Sequence, residues 1–527
     1  MARLLDGDPQ GTIDGREDFL ALYPDDAESY FLLTAAHTQL GNVDTAIGSM
    51  NAALVRGLPP QRFIAGPRHL FEPLRDQPEF VQLFDDFVTT PIHGPMLGAM
   101  TDHSVRVWLR TAEASTVEVI VSESPDLMSP VISQAVKTGT GGDFTALAEL
   151  DGLSPDTHYH YGVRIDGQIT QPNHAQFDTY PSSGSRGVVT VAFGGCSNYR
   201  PPNEPMWDVI RDQQPQAMLL LGDNVYIDYP QRPDIQRYAY YVRQSTAPFQ
   251  RLVGSVPTYA IWDDHDFADD DSFGGPGIDE PNWKRPNWER FRQNWNNPAY
   301  GGDGHPGVWH DFSLGDVDFF MLDTRYYREP PAAGPQSMLG PVQKQWLFDR
   351  LDASTATFKV IASSVPFASN TKPGSEDTWD GYPEEREEIF RFIETRHIGG
   401  VLLLASDRHR ADIWKIDRPN GCDFYEFENG LLSFENNHPR LPGALLSFND
   451  RPGFGLLEFN TRLSDPTVTY RVINIDNVTA YSFTLRLSQL SEPGSLTLFT
   501  LIIPLLVRRS RRCPRQHRHD VRVHARG

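Results

Sequence analysis

Five short apolar runs, each ending in residues that metals or phosphates favour, constrain this chain more than any other feature. Val188–Gly194 leads into Cys196-Ser197-Asn198-Tyr199, and Ala217–Leu221 into Gly222-Asp223-Asn224-Val225-Tyr226. Residues 256–262 lead into Asp263-Asp264-His265-Asp266, 317–322 into Asp323-Thr324-Arg325, and 400–405 into Asp407-Arg408-His409. Apolar runs of this length, bounded by turn residues, read as buried strands. Helical patterns at 203–213, 341–352 and 383–397 alternate with them, and Pro341 and Pro383 suit a first helical turn. Short strands alternating with helices predict a layered α/β domain over 186–490. In a mostly parallel sheet the carboxyl ends of the strands line one rim, where ligands bind. Five endings of this chemistry on such a rim point to a metal-centred active site.

The charge balance supports that direction. A net charge of −22 over 527 residues argues against a nucleic-acid-binding surface. Part of the acidity sits in 263–271, where clustered carboxylates repel one another unless a cation or an arginine stands between them. A solvated acidic loop is the plain alternative there, but the adjoining apolar strand and His265 weigh against it. Three cysteines, Cys196, Cys422 and Cys513, form no disulfide framework. Cys196, at a strand end, is compatible with thiolate ligation.

Four segments flank the α/β domain. Residues 29–56 read as two helices joined at Gly41-Asn42, a pattern that resembles a tetratricopeptide repeat, and 1–90 is expected to be a small helical segment. From 91 to 181 the apolar period becomes two, as in Ser104–Arg110. The run Leu153-Ser154-Pro155-Asp156-Thr157-His158-Tyr159-His160-Tyr161 resembles the strand entry of fibronectin type III-like β-sandwiches. Residues 181–185 read as a linker. Strand-like alternation returns over 411–487 and predicts a second sheet packed on the first. At 491–512 a Glu492-Pro493 pair, an apolar run and an arginine cluster resemble the PEP-CTERM sorting signal that exosortase recognises in Gram-negative bacteria. That resemblance implies an exported protein of the periplasm, cell surface or medium, although the first residues carry no apolar secretory stretch. The basic tail 513–527 fits no fold and is expected to be disordered.

Hydrolysis of a phosphate ester needs a nucleophile at neutral pH and neutralisation of phosphoryl charge, and paired metal ions supply both. The motifs Phe193-Gly194-Gly195-Cys196, Gly222-Asp223-Asn224-Val225-Tyr226, Trp262-Asp263-Asp264-His265-Asp266, Leu322-Asp323-Thr324-Arg325 and Ser406-Asp407-Arg408-His409 together resemble the alkaline phosphatase D (PhoD-like) metallophosphatases over about 91–490. The resemblance implies a metallophosphatase-type α/β sandwich of two packed sheets flanked by helices. It implies iron(III) held by Cys196, Asp223 and Tyr226, with Asp407 or His409 nearby, and calcium at Asp263 and Asp264. Thiolate and phenolate suit a ferric ion, and carboxylates suit calcium; iron with manganese or zinc is the other pairing the residues allow.

His265 is then expected as ligand, proton donor or hydrogen-bonder to the carboxylates. His409 shares that range of roles. Arg325 is expected to clamp phosphate or pair with an aspartate, and Asp323 to hold Arg325 or its loop. Asp269-Asp270-Asp271 departs from the family, which often carries an asparagine there, and makes Asp270 a candidate cation or phosphate contact. The expected activity is hydrolysis of small organic phosphate esters by a metal-activated hydroxide. The competing expectation is a catalytically inert, calcium-stabilised surface or scaffold protein.

Overall fold

The strands that carry the five motifs fall into two sheets rather than one. In the computed structural model, which describes residues 1–171, 175–330, 336–419, 421, 423–433 and 439–490, the strands of these two sheets are β1 (Val188–Gly194), β2 (Ala217–Leu221), β3 (Thr258–Ile261), β4 (His310–Leu314), β5 (Val317–Met321), β6 (Phe358–Ala362), β7 (Val401–Ala405), β8 (Ala411–Ile416), β9 (Phe424–Asn429), β10 (Leu446–Phe448), β11 (Gly453–Asn460), β12 (Thr467–Asn474) and β13 (Thr479–Arg486), and β1, β2, β3, β5 and β7 carry the motifs. One sheet runs β3-β2-β1-β11-β12-β13 and the other β4-β5-β6-β7-β9-β8-β10. Cys422, the 491–512 sorting-like stretch and the 513–527 tail lie outside the described residues.

The split has a local cause. β11 pairs antiparallel along β1 from Val188 to Phe193, so that edge is closed to β5, β6 and β7, which pair in parallel among themselves. This corrects the expectation of a single ligand-bearing rim: β1, β2 and β3 end on one sheet, β5 and β7 on the other. It also corrects the expected second sheet over 411–487, because β8, β9 and β10 complete the sheet of β5–β7 whereas β11–β13 extend that of β1–β3.

The two sheets pack face to face, and the strand period of two shows how. Val360, Ala362, Leu402 and Leu404 join the same buried cluster as Phe193, Leu219 and Leu457, whereas Ile361, Val401 and Leu403 join a second cluster with Leu347, Leu351, Ile389 and Ile393. The latter residues come from helices Gly340–Ala353 and Pro383–Thr395, which cover the outer face. Strands apolar on both faces are what a covered parallel sheet requires. The coarse result is a mixed α/β fold of packed sheets and helices.

Upstream, helices Ala27–Gln39 and Val43–Val55 pack together around Phe31, Leu33, Ala46 and Met50, with Tyr238 of helix Pro233–Gln244 against the same cluster. Between 93 and 178 two antiparallel sheets, one through Ser104–Arg110 and one through Thr116–Ser122, share Leu109, Val117, Ala146, Val163 and Ile165. Among the described residues no helix is long and apolar enough to cross a membrane.

Candidate metal centre

The carboxyl ends of β1, β2 and β7 meet at two glycines. A Cβ on Gly195 would lie 2.0 Å from Ser406 Oγ and 2.7 Å from the Gly222 carbonyl oxygen; Gly222 itself has φ +105° and its Cβ would press on Asp263. Only glycine lets the three loops approach so closely. The Cys196 amide donates to the Gly222 carbonyl at 3.1 Å and the Ser197 amide to that of Asp223 at 2.8 Å, which ties the first two loops together. Cys196, Asp223, Asp407 and His409 all take left-handed backbone conformations, with φ of 56°, 52°, 62° and 47°. Such conformations are strained for side chains other than glycine and cluster at functional sites.

Three sets of donor atoms lie within 4.8 Å of one another: Cys196, Asp223 and His409; Asp223, Asp264 and His265; and Asp264, Asp270 and Asp271. Asp223 belongs to the first two sets and Asp264 to the last two. Tyr226 joins the first through its hydroxyl, which donates to Asp223 Oδ2 at 3.2 Å. Asp263 stands outside these sets, its Oδ1 accepting from Arg325 Nε at 2.5 Å and Ser364 Oγ at 2.9 Å. Asp407 is paired with Arg408 at 3.4 Å.

Electrostatically the centre is short of positive charge. Burial, then repulsion from Asp264, Asp263, Asp266 and Asp407, drives the Asp223 carboxyl well above its ordinary range. Burial pushes Asp263 up to about 8 despite Arg325. The Cys196 thiol is raised by burial and by Asp223 and Asp407. Two buried carboxylate oxygens, Asp223 Oδ1 and Asp263 Oδ2, have no hydrogen-bond partner. Orphaned acceptors and mutually repelling buried acids are what a cation relieves, so the residues fit metal ions.

His265 lies on the more open side. Its Nδ1 meets Asp228 Oδ1 at 2.5 Å, its ring packs on Tyr226 at 4.4 Å between centroids, and its Nε2 is 3.9 Å from the exposed Asp270. Burial opposes its charge, but the Asp228 hydrogen bond and the nearby Asp264 outweigh it and lift the imidazole to about 9.

Of the two roles expected of Arg325, phosphate clamp or partner of an aspartate, its contacts give the second. It is 0% exposed, and its guanidinium donates to Asp263, to the Ser272 carbonyl and twice to Asp377. It is therefore an internal brace. Asp323 holds the loop, accepting from Trp262 Nε1 and from the amides of Val308, Arg325 and Tyr326.

Sequence reasoning missed four supporting residues. Asp266 accepts from the backbone amides of Asn224, Val225 and Asp263, joining the ends of β2 and β3. Asp228 orients His265. Asp377 takes Arg325 and Arg328, each at 2.8 Å, and Lys372 reaches both Asp271 and Asp377. Asp266 alone left a sequence signal: an aspartate three residues after Asp263 at a helix start, where the pair forms a capping box.

Residues 191–463 match the model of the PhoD-like phosphatase family, and 89–183 match a domain of unknown function, DUF7800. Alkaline phosphatase D of Bacillus subtilis (strain 168) is 24% identical over 388 residues, which span 64% of this chain and 63% of that protein, somewhat under two thirds of its length. A solved structure of PhoD superposes with a TM-score of 0.64 at 20% identity, over 75% of this chain and 90% of the other. Purple acid phosphatase PPD1 from yellow lupin seeds gives 0.56 at 12% identity over 75% of each chain. These two likenesses concern the fold.

Proposed function

The chain belongs to the PhoD-like phosphatase family, and from that premise we propose that it is a metal-dependent phosphoesterase acting on small organic phosphate esters. The observation that carries the reading is Asp223, a buried carboxylate shared by two donor sets with one oxygen unpartnered. Cys196, Asp223, Tyr226 and His409 would hold one ion, for which iron(III) suits the thiolate and phenolate; Asp264, with Asp270 and Asp271, offers the oxygen donors that calcium prefers. Asp263 and Asp407 add negative charge beside them. Bound ions would supply an activated water and neutralise phosphoryl charge.

The chain's own residues do the rest. Asp228 holds His265 by its Nδ1, leaving Nε2 to donate a proton to the departing alkoxide. Arg408 and Lys372 bring positive charge to the side of Asp407 and Asp271. Arg325 fixes Asp263 and Asp377, so that the acidic loops keep their places. On the sorting-like stretch at 491–512 we also read the enzyme as exported, which fractionation of expressing cells tests.

Elemental analysis of the purified protein, with hydrolysis of aryl phosphate mono- and diesters in the presence and absence of calcium, tests the main reading. Bound iron and phosphate release are expected, and Cys196→Ser should lose most of its iron. Cations without phosphate release would mark the inert scaffold instead. A Cys196→Ser protein with full metal content would remove Cys196 from the ligand set.

A further inference from the structure

Tyr226 has a second neighbour besides the metal centre. Its ring lines a cavity of about 470 Å³ together with Tyr199, Tyr229, Tyr238, Ile227 and Ile235. Ala2 and Glu28 of the helical segment that precedes both family-matched regions line it too.

The charged side chains at this cavity, Glu28 and Arg243, are already paired. Glu28 accepts both terminal nitrogens of Arg62, at 2.9 and 2.8 Å, and the Tyr238 hydroxyl. Arg243 donates to Glu204 at 2.6 Å and to the Ser197 carbonyl. The rest of the lining is mostly aromatic and aliphatic, with Met1, Asn198 and Asn224 as its other polar members. Tyrosines present rigid rings that stack edge-to-face or offset on a flat guest. The volume suits one or two fused rings.

The cavity also adjoins the proposed reaction centre. The Tyr226 hydroxyl reaches Asp223 while the same residue lines the cavity, so one side chain stands between the donor set and the cavity. Asn198, two residues after Cys196, lies on the same wall. We propose that this cavity is the leaving-group subsite, and that it takes the aromatic portion of an aryl phosphate ester. The inference rests on the phosphoesterase reading and deepens it: the appended helical segment shapes which alcohol is released.

The test uses the full-length, cation-loaded protein with 1-naphthyl phosphate and glycerol phosphate as substrates, and 1-naphthol as a binding probe by calorimetry. Ala239 lines the cavity from helix Pro233–Gln244 and carries no metal-donor atom. Ala239→Phe should fill the space, raise KM for naphthyl phosphate by about tenfold, leave glycerol phosphate within about twofold, and abolish naphthol binding. If the larger ring lowers the melting temperature, Ala239→Leu provides a smaller filling with the same expected order of effects. Wild-type protein that binds no naphthol, or a stably folded variant that treats both esters alike, overturns the subsite. Absence of phosphate release from either ester by the cation-loaded wild type overturns the phosphoesterase reading beneath it, and the subsite with it.

Discussion

Arg325 is where residue type and residue role part company. Burial opposes its charge, yet Asp263, Asp377 and Asp264 hold its guanidinium well above even the usual arginine range, because the charge is the counterweight for three buried acids. Removing one partner of a buried ion pair leaves the others uncompensated, at a cost of about 3–5 kcal/mol. Arg325→Lys keeps the charge but loses the planar fork that serves Asp263 and Asp377 together. It should lower the unfolding free energy by a large part of that amount, seen as a lower urea midpoint. A phosphate-gripping arginine would behave differently: KM would rise while the midpoint stayed put. The sequence showed an arginine among aspartates, but the decisive partner, Asp377, lies 52 positions away in a loop without periodicity. Spacing along the chain carries no trace of such a contact.

At the scale of elements, the strand ends were legible and their grouping was not. Short apolar runs closed by Gly, Asp and Asn announce themselves, and β1, β2, β5 and β7 begin and end within a residue or so of the expected places. What divides them between two sheets is the pairing of β1 with β11, a contact between segments on opposite sides of the domain in sequence. Asp266 illustrates the same point on a smaller scale. Its side chain serves three amides from two loops, two of them about forty residues upstream. Asp266→Ala would leave those buried donors unpaired, at about 1–3 kcal/mol each before relaxation. The expected result is a loss of several kcal/mol in denaturant unfolding, with weaker cation retention on dialysis. A more local test is Gly195→Ala, whose methyl group would collide with Ser406 and the Gly222 carbonyl. It should reduce bound metal even where the variant remains folded.

Across the whole molecule, the acidic centre makes stability depend on pH in a way that cations should cancel. In metal-free protein the Asp223 and Asp263 carboxyls titrate above their unfolded value near 3.8, Asp263 at about 8. The native state therefore binds more protons than the unfolded chain between those limits, and stability falls as pH rises through the window. Loaded protein, whose carboxylates face a cation, lacks that penalty and gains the linkage energy of binding. Calorimetry at pH 5 and pH 8 should show the melting-temperature gap between loaded and chelator-stripped protein widening with pH. A gap that stays constant would mean that the ions sit elsewhere.

The first donor set joins Cys196 and Asp223, at the ends of β1 and β2, to His409 beyond β7 in the facing sheet. A growing chain thus possesses no complete set until more than four hundred residues have been made and both layers have closed on each other. Ion choice is then a late event in the life of the molecule. An ion offered earlier would find only part of the first donor set.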